Sequence, residues 1–157
     1  MSEKDRFDAS AWKSIAEAPL SAGMAVFSVS HPGPIGIMKE LRAANRAMKH
    51  PGDRGPANQL IAEIQDAAAS QAVQDDMQKQ VKSLSKDKMR RTAIGDLQAA
   101  SRAIAGLPED EKNALIDWVV DVGRATAEAA SDRGESAKIS DTEAEMLRTI
   151  EDTLRSG

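Results

Sequence analysis

The chain has no cysteine and no tyrosine, and only two histidines, two tryptophans and two phenylalanines in 157 residues. Without cysteine there is no disulfide, no thiolate nucleophile, no Cys-ligated zinc and no iron–sulfur cluster held by the chain's own thiols. Val and Ile are sparse and never alternate with polar residues over a strand length, which removes the sheet pattern and leaves helix as the repeating element. An apolar run free of breakers is missing as well. Ala18 to Met38 carries no charged side chain, yet Pro19, Pro32 and Pro34 punctuate it, and a lipid-spanning helix would leave backbone groups unpaired there. The N-terminus, MSEKDRFDASAWK, lacks the basic and apolar regions of a secretory signal, so a cytoplasmic location is expected. A net charge of -4 argues against nucleic acid as a partner, because phosphate contacts need a positive field.

What is present is Ala, Leu, Met and many charges of both signs, a helix-forming composition in a length suited to one core. The expected fold is all-α: a frayed N-terminus over 1–9, then a single helical-bundle domain of six to seven helices over 10–155. Ser10 is placed to cap a short helix carrying Trp12 and Ile15, and Pro19 to interrupt it and restart a second helix reaching Ser30. That second helix, with Leu20, Met24 and Phe27 on one side, is apolar nearly all round and implies burial. HPGPIG at 31–36 is a tight break, after which Ile37, Leu41, Ala44 and Met48 share one helical face, completing an N-terminal apolar hairpin.

HPGDRGP at 50–56 is the next loop. The apolar runs Leu60-Ile61-Ile64-Ala68 and Val73-Met77-Val81-Leu84 are out of phase, predicting a kink or a break near Ser70-Gln71 and a weakly anchored second half. Met89, Ala93, Leu97, Ala100 and Ile104 form a narrow stripe ended by Gly106. Leu107-Pro108-Glu109-Asp110-Glu111 opens a helix whose core face is Leu115, Trp118, Val119, Val122, Thr126 and Ala129. After a loop over 131–136, Ser140-Asp141-Thr142-Glu143 is a capping box for a last helix carrying Leu147, Ile150 and Leu154 inward, so the chain closes on a helix–loop–helix. Charge is unevenly spread: Lys82 to Arg102 has six basic and two acidic residues, whereas Glu109 to Asp152 has thirteen acidic and five basic.

Catalytic patterns are missing. There is no GxSxG elbow, no GxGxxG after a strand and no GxxxxGK[ST] loop. His31 and His50 each precede a proline in a breaker loop, without a second ligand at helical spacing. The pairs Asp75-Asp76 and Asp117 with Asp121 fall on polar helix faces, where nothing moves a carboxyl toward neutrality. No enzyme activity, catalytic residue, cofactor or identifiable small-molecule substrate is therefore expected. One loop fits a calcium motif in part. With Asp132 at position 1, Ser140 falls at position 9 and Glu143 at position 12, but Gly134 at position 3 offers no oxygen and Ala137 stands where the turn requires glycine. Asp132 and Glu143 are the metal-ligand candidates, and the capping box accounts for Glu143 equally well.

The C-terminal third, LPEDEKNALIDWVVDVGRATAEAASDRGESAKISDTEAEMLRTIEDTL, resembles the helix–loop–helix of TerB-like proteins, the tellurite-resistance-associated family of small all-helical bacterial domains. Val119 and Val122 stand for the family's apolar helix, Asp132 with Gly134 for its acidic-Gly turn, and Ile139 and Glu143 for the entry to its next helix. The resemblance implies a helical fold and a bacterial, stress- or envelope-associated setting. Two functional readings stand side by side with metal binding at 132–143. One is a non-catalytic interaction or scaffold module that engages a protein partner or a second copy, with Leu20, Met24 and Phe27 as the candidate interface if exposed. The other is peripheral association of the 18–38 hairpin with a membrane surface.

Overall fold

A computed structural model describes residues 2–30, 34–83, 85–131 and 139–156 of the chain. Asp8, two residues ahead of the expected cap, opens the first helix by accepting a 2.7 Å hydrogen bond from the Ala11 amide. From there α1 (Ala9–Val29) runs straight through Pro19, where the sequence predicts an interruption. A proline inside a helix removes one hydrogen bond and costs about 3 kcal/mol. Every residue from Ala18 to Ser28 is buried, so packing on all sides of the helix offsets that cost. The first residues also differ from the frayed expectation. A 3-10 turn (Glu3–Arg6) precedes α1, and Phe7 behind it stacks on Trp12 with ring centroids 6.3 Å apart.

Six further helices follow among the described residues: α2 (Pro34–Lys49), α3 (Asn58–Ala68), α4 (Gln71–Ser83), α5 (Lys86–Ile104), α6 (Glu109–Ser131) and α7 (Asp141–Arg155). The fold is all-α, with no strand among the described residues. The expected break between the two out-of-phase apolar runs is the gap between α3 and α4 at Ala69 and Ser70. Of the α4 side chains that are described, only Val73 and Gln74 are half-buried and the others are exposed, as its polar sequence predicts. The α5 stripe is buried in full, and so are Leu60, Ile61, Ile64 and Ala68 on α3. The expected turn at 31–33, Leu84 and the loop from Asp132 to Lys138 lie outside the described residues.

Helix α1 is the centre, packed against α5 on one side and α6 on the other, while α2 lies along α6 and α7 spans α5 and α6. Hydrogen bonds fix the directions. Lys86 Nζ at the start of α5 donates to the Ser30 carbonyl just after α1, and Ile15 and Ala18 meet Ala100 and Ile104 at the other end, so α1 and α5 are antiparallel. Ser101 Oγ donates to the Leu154 carbonyl at 2.9 Å, pairing the C-terminal ends of α5 and α7. These two helices therefore run side by side in the same direction. Gly123 permits a close helix approach, whereas Gly23 sits at ordinary contact distance. A methyl group on Gly23 would lie 3.6 Å from Ala44 Cβ, and one on Gly123 would lie 3.2 Å from Leu147 Cδ2.

Candidate functional site

Two neighbouring features lie at and beside the end of the bundle where α1 finishes and α2, α5 and α7 begin. The first is a groove of about 510 Å³ between the parallel helices α5 and α7. Val29, Ile94 and Met146 supply its apolar surface. Arg90, Arg91 and Gln98 stand along the α5 side, and Thr142, Glu145 and Thr149 along the α7 side. Each wall spans two turns, about 10–12 Å at the helical rise. Arg90 lies 3.6 Å from Asp87 one turn back, and Arg91 has no ion-pair partner among the described residues. With Lys86 and Lys88 in the same stretch, the α5 rim is basic on a chain whose net charge is negative.

Gly95 lines this groove. Unlike Gly23 and Gly123, which sit where helices touch, a side chain on Gly95 would meet nothing within 4 Å, and its φ is not positive. A glycine inside a helix costs about 0.5–1 kcal/mol relative to alanine. Neither close packing nor backbone geometry among the described residues accounts for that cost at Gly95, whose side-chain position faces open space.

The second feature is a buried polar cluster next to it. Glu40 on α2 is 1% exposed, and its Oε1 accepts a 2.8 Å hydrogen bond from Ser30 Oγ. Glu143 on α7 is 4% exposed, and its Oε1 accepts from the Ser140 amide at 3.1 Å, while Ser140 Oγ accepts from the Glu143 amide at 3.2 Å. The predicted capping box is thus present. The Oε2 atoms of both glutamates are buried without a hydrogen-bond partner among the described residues. Burial pushes the Glu40 carboxyl up to about 7; the Ser30 hydrogen bond opposes this, the Glu143 charge adds to it and Lys86 opposes it. Lys86 Nζ also sits 5.8 Å from the centre of the Phe27 ring.

The residues expected from sequence fall as follows. Leu20, Met24 and Phe27 are 6%, 7% and 7% exposed and belong to the core, so in this chain they present no free docking surface. With α1 enclosed in this way, the 18–30 part of the hairpin offers no apolar face to a membrane surface, and no helix among the described residues is long and apolar enough to cross a membrane. Glu143 serves the capping box, and Asp132 lies outside the described residues. Among the described residues no three His, Cys, Asp or Glu side chains gather as a metal ion would need. Glu40 was not among the expected site residues, although it sits one turn before Ala44 and two before Met48 and so falls on the buried stripe of its helix. A charged residue in register with an apolar stripe was the signal.

The fold and these two features define an all-α bundle with a solvent-facing groove and two buried glutamates, one on α2 and one at the start of α7. Compared with protein-family models, with curated proteins and with solved structures, the chain matches none.

Proposed function

We propose that the chain is a non-catalytic interaction module that takes an acidic amphipathic helix of a partner protein into the groove between α5 and α7. The observation that carries this reading is Gly95, which gives up helix stability at the one groove-lining position where a side chain would fill the space. Two-turn walls match two turns of a docked helix presenting apolar residues at i, i+3, i+4 and i+7. Arg91, without an ion-pair partner among the described residues, and Arg90 beside it select acidic side chains along one edge of that helix. A bacterial stress- or envelope-associated setting, as the TerB-like resemblance implies, is compatible with such an adaptor role.

The test is fluorescence anisotropy with a labelled amphipathic peptide carrying Leu at that spacing and Glu on one flank, beside a twin with Lys replacing Glu. The expected result is saturable binding of the Glu peptide that weakens with added salt and drops by about tenfold or more in Gly95→Leu and in Arg91→Glu. Equal binding by Gly95→Leu, or preference for the Lys peptide, would overturn the reading. So would light scattering that shows a dimer dissolved by Gly95→Leu, since the groove would then hold a second copy of this chain.

A further inference from the structure

Glu40 and Glu143 come from helices far apart in sequence, and each places a carboxylate oxygen in the interior with no donor to meet it among the described residues. A buried carboxylate is tolerated only when its charge is paired or removed. Toward Glu40, helix α5 presents Lys86, whose ammonium is already engaged with the Ser30 carbonyl and the Phe27 ring. The end of α1 presents the Ser30 hydroxyl, the single hydrogen-bond donor that Glu40 has among the described residues. Helix α7 presents Glu143, a like charge. Helix α6 presents Thr126, whose hydroxyl donates to the Val122 carbonyl at 2.9 Å and so does not serve the carboxylate. The space beside Glu40 is a cavity of about 20 Å³, walled mainly by Leu20, Met24, Phe27 and Ala44.

We propose that Glu40 is a proton-binding site: it is held as a neutral acid, and loss of its proton loosens the end of the bundle where α1, α2, α5 and α7 come together. A metal ion needs several oxygen ligands, whereas both Oε1 atoms are committed and the described residues bring no third acidic or imidazole group. A proton needs one oxygen. It removes the charge that burial penalises and the repulsion between the two glutamates together. This site is independent of the groove's occupant, so either proposal can fail without the other.

The direction of the effect follows from the displacement of the Glu40 carboxyl from an ordinary 4.5 to about 7 in the folded chain. Between those values the folded state holds a proton that the unfolded state has released. The added stability is complete below the unfolded value and is lost as pH rises through the folded one, by roughly two to three powers of ten in the folding equilibrium.

The experiment is urea unfolding of the wild-type chain and of Glu40→Gln from about pH 5 to about pH 8, with carboxyl-carbon NMR titration of the wild-type chain and of Glu143→Gln. The expected result is that the wild type loses about fiftyfold or more in folding constant relative to Glu40→Gln over that range. The Glu40 carbon titrates near neutrality in the wild type and lower in Glu143→Gln. Parallel stability profiles for the two chains, or a Glu40 midpoint in the ordinary carboxylate range, would overturn the proposal. Stabilisation by calcium, magnesium or zinc that Glu40→Gln abolishes would do so too, because the ligand would then be a metal. Should Glu40→Gln not fold, the wild-type titration decides alone.

Discussion

A single guanidinium ties the first residues of the chain to its sixth helix. Arg6 Nη1 and Nη2 donate to the two oxygens of Glu111, each at 2.8 Å, and Nη1 also reaches Glu3. The Glu3 amide in turn donates to Glu63 Oε2 at 2.7 Å, so the 3-10 turn is held against both α3 and α6. The Glu111 side chain is nearly enclosed and the Arg6 side chain is about one third exposed, which reduces the gain relative to a fully buried pair. Arg6→Ala is expected to lower stability by about 1–2 kcal/mol in urea unfolding, mostly through the partner left behind. Arg6→Lys recovers only part of this, because an ammonium cannot form two parallel bonds to one carboxylate. A loss below a few tenths of a kcal/mol would show the first six residues to be a passenger. This contact was not legible in the sequence: the spacing of Arg6 and Glu111 follows no local rule, and only the tertiary placement of the 3-10 turn against Glu63 and Glu111 brings it about. Glu40 was legible in principle, as a charge on an apolar stripe, but its partners on α1 and α7 were not.

Among the elements, the glycines of α5 and α6 behave in opposite ways. Gly95→Ala places a methyl group in open space and is expected to raise stability by about 0.5–1 kcal/mol. Gly123→Ala brings a methyl to 3.2 Å from Leu147 Cδ2 and 3.6 Å from both Ile150 Cδ1 and Val26 Cγ2, so it falls short of that gain. Thermal or urea unfolding of the two variants side by side checks the order, and equal gains would mean that α7 gives way freely. Helix placement was largely readable from sequence, because period and caps are local: the α5 stripe, the Ser140 capping box and the break between α3 and α4 all follow from them. The exception is α1. Local rules read Pro19 as a boundary, and burial of the whole Ala18–Ser28 stretch decided otherwise. The groove was not readable, since an unfilled space between α5 and α7 leaves no periodic trace and a mid-helix glycine looks the same in a groove and in a contact.

For the molecule as a whole, stability is concentrated around α1, α5 and α6 and thin at α4. Among the α4 side chains that are described, only Val73 packs against the core, and a helix held in this way opens without the rest. Hydrogen–deuterium exchange is expected to strip protection from α4 well before α1 or α6. Protection of α4 to the same depth as α1 would require an anchor beyond Val73. The order of the chain adds a consequence for its synthesis. The helix at the centre is made before its two main neighbours, α5 and α6, which start only at Lys86 and Glu109. A nascent chain therefore carries the uncharged stretch around Leu20, Met24 and Phe27 without its α5 and α6 cover until both of those helices have been added. That interval, set by the translation rate, is when the sequence is most open to aggregation and to chaperones.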